Sequence, residues 1–68
     1  MLTKLKLEEI LNYCDNGSTN INGTSITLWL TQSGMYSAKL EKGKGLKYIS
    51  DYGVYSFLRQ INDWLKQI

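Results

Sequence analysis

A chain of 68 residues with 43% hydrophobic and 21% charged content is one small domain, expected to span residues 1–68. It is too apolar to stay disordered, yet so short that its fold depends on a well-made core. One cysteine excludes an intrachain disulfide framework, and the lack of any histidine beside a net charge of only +2 removes the usual nucleophile–base pairs.

The +2 is unevenly spread. Lys39, Lys42, Lys44 and Lys47 stand against Glu41 alone, while the two ends of the chain are close to balanced. That is a local basic patch rather than the continuous stripe of a duplex binder. No run approaches the roughly 20 apolar residues of a membrane span. The opening "MLTKLKLEEI" turns acidic where a secretory leader needs its apolar centre, so the expected location is the cytoplasm, of a cell or of a host. Two glycosylation-like triplets, Asn16-Gly17-Ser18 and Asn22-Gly23-Thr24, are then read as Asn-Gly turn chemistry.

In chain order, Leu7, Ile10, Leu11 and Cys14 follow helical spacing and predict an amphipathic helix near residues 4–15, with Cys14 as a packed thiol. Asn16-Gly17 reads as its stop and "GSTNING" as a polar loop. "TSITLWLT" alternates with period two, placing Ile26, Leu28 and Leu30 on one side and Thr27, Trp29 and Thr31 on the other, which is the signature of a strand. "MYSAKLE" alternates as well. A loop of Gln32-Ser33-Gly34 pairs Leu30 with Tyr36, Leu28 with Ala38 and Ile26 with Leu40, making one face wholly apolar, whereas a shorter turn would set leucine against lysine.

The same reasoning applied to "LEKGKGLKYI" favours a loop of Gly43-Lys44-Gly45. Leu40 then pairs with Tyr48, Lys42 with Leu46, and Glu41 with Lys47 on the opposite side. The glycines thereby serve a hairpin. A phosphate-binding loop would need a helix start after them, and none follows. From Asp51 the period changes again: Val54, Phe57, Leu58, Ile61, Trp64, Leu65 and Ile68 form the stripe of a final helix, with Ser50 or Asp51 at its start. Tyr55, Arg59, Asn62 and Lys66 line its polar side, and Tyr52 lies just ahead of it. The expected fold is α+β: a two-layer α-β-β-β-α arrangement, a three-stranded antiparallel meander with both helices on one face.

Catalytic chemistry has few candidates. Glu8 and Glu9 are adjacent on a helix and diverge by about 100°, so they cannot converge on one substrate. A structural zinc takes about four Cys or His ligands. No enzyme, metal or cofactor is therefore expected. What the pattern leaves open is the second face of the sheet, expected to carry Trp29, Met35, Lys39, Glu41, Lys47 and Ile49, with Tyr36 and Tyr48 turned inward. Exposed apolar groups on such a face mark an interaction surface.

Three occupants are weighed. A second copy could stack sheet on sheet through Trp29, Met35 and Ile49 to give a homodimer. A different protein could be engaged with Trp29 as anchor, Met35 and Ile49 as apolar surround, and Lys39, Lys44 and Lys47 as electrostatic contacts, a sheet edge remaining available for pairing. Single-stranded nucleic acid could stack on Trp29 beside Lys39 and Lys47, although a single aromatic and no ribonucleoprotein-type string make a thin platform. The leading expectation is a non-enzymatic protein-binding module, an inhibitor or adaptor, with single-strand binding as the alternative. In size and lack of catalytic groups the chain resembles the short cytoplasmic accessory proteins of phages and mobile elements, many of which bind and block a host protein.

Overall fold

The computed structural model describes residues 1–13 and 16–67, apart from the side chains of Asn12 and Tyr13. Six elements follow one another: α1 (Lys4–Tyr13), β1 (Asn16–Ile21), β2 (Thr24–Leu30), β3 (Tyr36–Lys42), β4 (Gly45–Asp51) and α2 (Val54–Gln67). The strands pair antiparallel in the order β1-β2-β3-β4. The class is α+β, as the alternating and helical periods predict, but the meander has four strands and not three.

The additional strand is "NGSTNI", which the sequence reading gave to a helix stop and a loop. β1 pairs with β2 from Asn16 opposite Trp29 to Ile21 opposite Thr24. The turn between them is Asn22-Gly23, with φ of 51° and 82°, the conformation that a two-residue hairpin of the right twist requires at both central positions. The Asn20 side chain accepts a hydrogen bond from the Gly23 amide at 3.2 Å and holds the bend. Asn-Gly turn chemistry is thus present at 22–23, whereas Asn16-Gly17 lies within a strand. Glycine at 17 has a different purpose: a Cβ there would come within 2.5 Å of Ile10 Cγ2, so its absence lets α1 lie close on β1.

The β2–β3 hairpin has the expected register, with Leu30 opposite Tyr36, Leu28 opposite Ala38 and Ile26 opposite Leu40. Its loop is Gln32-Ser33-Gly34, closed by the Thr31 amide donating to Met35 O at 2.9 Å and the Gly34 amide to Thr31 O at 3.0 Å. The β3–β4 hairpin differs. Lys42 pairs with Gly45, so the loop is the two residues Gly43-Lys44, with Gly43 at φ 57° as the first central residue of the turn. Leu40 therefore lies opposite Lys47, Glu41 opposite Leu46, Lys39 opposite Tyr48 and Ala38 opposite Ile49. One residue of slip turns β4 over. Ile49 goes into the core at 5% exposure, while Leu46 and Tyr48, expected inside, are 54% and 60% exposed.

One core joins the helices to the sheet: Leu2, Leu7, Ile26, Leu28, Ala38, Leu40, Ile49, Phe57, Leu58 and Ile61. α1 packs on β1 and β2, and α2 on β4 and β3. The start of α1 is set by Thr3, whose Oγ1 accepts from the Lys6 amide at 3.2 Å while its carbonyl accepts from Leu7. Leu2 before the cap and Leu7 after the first turn are both 1% exposed, in the positions of a hydrophobic staple. Asn62 of α2 clasps the same end: its Oδ1 accepts from the Leu2 amide at 2.8 Å and its Nδ2 donates to Leu2 O at 3.0 Å. Asn62, expected on a solvated face, is in fact the polar link between the chain's first residues and its last helix.

In α2 the buried stripe is Phe57, Leu58 and Ile61, flanked by half-buried Val54, Trp64 and Leu65. Tyr36 turns inward as expected and stacks on Phe57, ring centroids 5.7 Å apart. Cys14 and Ile68 lie outside the described residues. Among the described residues no helix is long and apolar enough to cross a membrane.

Candidate functional site

With the helices gathered on one side, the other face of the sheet is built only by alternation along the strands. Its side chains form three rows across the four strands. Asn16, Trp29, Ser37 and Ser50 make the first; Ser18, Thr27, Lys39 and Tyr48 the second; Asn20, Ser25, Glu41 and Leu46 the third. Thr31 and Met35, joined at the mouth of the β2–β3 loop, continue the lattice beyond the first row. Tyr52 follows β4 there and donates its hydroxyl to Ser33 Oγ at 3.3 Å.

Trp29 is half-buried on this face. Ser37 beside it is only 3% exposed and shares a 3.0 Å hydrogen bond with Ser50 Oγ. A small side chain on an open sheet is shielded to that degree only by its neighbours, and the indole is the largest of them. Tyr48 and Tyr52, 60% and 64% exposed, extend the aromatic area, and half-buried Met35 adds an adaptable thioether.

Electrostatically the face is close to neutral. Lys39 and Glu41 project from the same side of β3, with Nζ and Oε1 3.5 Å apart, and both are partly solvated. An exposed pair of this kind contributes about 0–1 kcal/mol to stability, but it also cancels the only formal charges on the three rows. Lys47, expected on this face, is not on it. Lys44 lies in the turn, and Lys47 shares the inner parity of β4 with Ile49.

Of the six residues assigned to a contact surface from the sequence, Trp29, Met35 and Lys39 share the outer face and Lys44 stands at its rim. Lys47 and Ile49 do not belong to it. Tyr48 and Leu46, which sequence reasoning sent inward, take their places. The signal that could have found them is the double glycine of "KGKG", which accommodates a two-residue turn as readily as a longer one.

The polar groups at the start of α2 have a structural task. Asp51 accepts from the Gly53 amide at 2.9 Å, from Ser56 Oγ at 2.7 Å and from Gln60 Nε2 at 3.0 Å. The Ser56 hydroxyl, and after it the Gly53 amide, hold the Asp51 carboxyl below its ordinary value against the opposing effect of desolvation. Gly53, whose carbonyl accepts from the Phe57 amide at 2.9 Å, occupies the cap position, and Asp51 braces the approach to it. On the far side of the molecule Lys4 Nζ lies 5.3 Å from the centre of the Tyr55 ring and 3.8 Å from Glu8, a solvated cluster linking the two helices. No group of three or more potential metal ligands occurs among the described residues. Compared with known protein families, curated proteins and solved structures, the chain matches none of them.

Proposed function

We propose that the protein is a non-enzymatic protein-binding module, an inhibitor or adaptor that engages its partner through the outer sheet face. Trp29 is the anchor, Met35, Tyr48 and Leu46 the surround, and Lys39 within the face and Lys44 at its rim the charged contacts. The observation that carries this reading is an antiparallel sheet face, opposite the helices among the described residues, that carries an indole, a thioether and two exposed tyrosines beside a Lys39–Glu41 pair whose charges cancel. Aromatic and methionine side chains are the residues enriched at the centres of protein interfaces, where charge is depleted.

Single-strand nucleic-acid binding is the second reading, favoured by Trp29 and Tyr48 together offering two stacking surfaces. It is weakened by the charge. Lys47 is off the face and Lys39 is answered by Glu41, so a phosphate backbone crossing the rows meets no net cation.

Affinity capture with the native chain, Trp29→Ala, Tyr48→Ala and Tyr55→Ala tests the proposal, with oligonucleotide binding measured alongside at low salt. Loss of a captured protein with the first two variants and retention with the third supports it. Retention with all three removes the outer face from consideration. Oligonucleotide binding that falls steeply with salt transfers the face to the second reading. Sedimentation of the native chain settles whether the partner is a second copy.

A further inference from the structure

β4 is an edge of the sheet, and its second backbone edge meets no other strand among the described residues. The two-residue turn at Gly43-Lys44 makes Lys42 and Gly45 the hydrogen-bonded closing pair of the hairpin. By alternation, Leu46, Tyr48 and Ser50 then aim their backbone N–H and C=O groups away from β3. An open row of this kind is a template for another strand. On the inner side α2 roofs the edge, leaving a cleft of about 250 Å³ lined by Lys47, Ile49, Gln60, Asp63, Trp64 and Gln67. Lys47 and Asp63 share that lining without closing an ion pair, so the cleft has no net formal charge with which to attract a charged partner or repel an identical one.

The occupant is selected by what the edge sets against itself. Two copies related by a twofold axis perpendicular to the sheet keep their helices on one side, and only an axis on a residue matches inner side chains with inner ones. An axis on Lys47 sets the two lysines face to face. One on Tyr48 sets each Lys47 against an Ile49, and one on Ser50 sets each Ile49 against an Asp51. An axis on Ile49 satisfies both faces at once. Inside, each Lys47 stands opposite Asp51 of the second copy, and Ile49 meets Ile49. Outside, Leu46 stands opposite Tyr52, the residue after the strand, and both are exposed in the single chain. The two Tyr48–Ser50 pairs exchange the backbone hydrogen bonds that β3 leaves open. Asp51 is half-buried, and its bonds from Gly53, Ser56 and Gln60 fix the carboxylate without neutralising it. The opposite edge, β1, offers no such selection, since apart from Ile21 its side chains are only Asn, Gly, Ser and Thr.

We propose that the β4 edge is the interface of a homodimer, a second copy adding antiparallel about a twofold axis at Ile49, with reciprocal Lys47–Asp51 pairs inside and Leu46–Tyr52 pairs outside. This interface does not rest on the reading proposed for the outer face.

Sedimentation of the native chain over a concentration series, with amide spectra of the isotopically labelled chain, tests it. The expected result is reversible dimerisation with a dissociation constant between about 1 μM and 1 mM, as suits a small interface, and β4 amides that shift as the dimer forms. Lys47→Glu sets a carboxylate against Asp51 in both pairs and weakens dimerisation about tenfold. Asp51→Lys sets an ammonium against Lys47 and does the same. Mixed together, the two variants associate with each other at close to native strength, because every lysine across the axis again meets a carboxylate. Where Asp51→Lys loses the native spectrum along with its support of α2, contacts between Tyr48 and Ser50 across the copies of a half-labelled native dimer decide the register instead. Trp29→Ala leaves the dimer intact, which distinguishes it from stacking of two outer faces. A chain still monomeric at about 1 mM, with Lys47 then serving as a guard against edge pairing, would overturn the proposal. So would a dimer lost with Trp29→Ala, or one that Lys47→Glu leaves undiminished.

Discussion

Replacing Gly17 by alanine puts a methyl group 2.5 Å from Ile10 Cγ2 and 3.2 Å from the Ile10 carbonyl oxygen. The first contact is far inside van der Waals range, and the second involves backbone in the middle of α1, which cannot swing away as a side chain can. Relieving both requires the helix to lift from β1, and overpacking of this kind costs about 1–3 kcal/mol. Against it stands a gain in the opposite direction. Gly17 does not have a positive φ, so alanine suits its backbone and restricts the unfolded chain, worth about 0.4–1 kcal/mol. The net expectation is a destabilisation of about 1–2 kcal/mol, seen as a lower urea midpoint and a melting temperature reduced by about 4–8 °C per kcal/mol for a domain of this size.

Ile10→Ala removes the Cγ2 methyl, after which the nearest side-chain atom to the new methyl is Ile10 Cβ at 3.7 Å, an ordinary contact. In that background the 3.2 Å contact with the Ile10 carbonyl oxygen remains, so Gly17→Ala is expected to keep a smaller part of its cost, leaving a coupling of about 0.5–1 kcal/mol in the double-mutant cycle. Stabilisation by Gly17→Ala in the native background, or an equal cost in both backgrounds, would refute the close seating of α1 on β1.

Two further outcomes follow from single polar groups. Because its hydrogen bonds hold the Asp51 carboxyl below its ordinary value of 3.8, the charged form is favoured by folding; its contribution is complete above that pH and fades as pH falls below 3.8 through the folded-state value. Urea midpoints across that window should fall less steeply in Asp51→Asn than in the native chain, and parallel curves would contradict the assignment. Thr24 Oγ1 is buried with no hydrogen-bond partner among the described residues, so Thr24→Val, which keeps the shape and removes the hydroxyl, is expected to raise stability by about 1 kcal/mol. A loss of stability in the same urea assay would show that the hydroxyl is satisfied.

The two central strands were legible because both alternate without interruption. Only one loop length between them keeps Leu28 away from Lys39, and the structure has that loop. α2 was legible for a similar reason, its stripe running from Val54 through Leu65. β1 was not, since "NGSTNI" has one large apolar residue and no alternation for a period of two to act on. It is held by pairing with β2 and by lying under α1, neither of which leaves a mark in composition. Its only signal was the Asn22-Gly23 turn, which implies a strand on each side.

β4 was misplaced by a single residue because local pairing energies pointed the wrong way. Leu40 with Tyr48 and Glu41 with Lys47 looks better than Leu40 with Lys47, yet cross-strand pairs are worth only about 0.2–1 kcal/mol each. Burying Ile49 beneath α2 contributes about 1.5–3 kcal/mol and outweighs them. The candidate site inherited that error: Trp29, Met35 and Lys39 were assigned correctly to the outer face, while Tyr48 and Leu46 exchanged places with Lys47 and Ile49.

The composition of the outer face therefore rests on the β3–β4 register, and cross-strand nuclear Overhauser effects measure it directly. Contacts between Lys39 and Tyr48 and between Ala38 and Ile49 are expected. Contacts between Leu40 and Tyr48, with Ala38 opposite Ser50, would return Lys47 and Ile49 to the outer face and contradict that register.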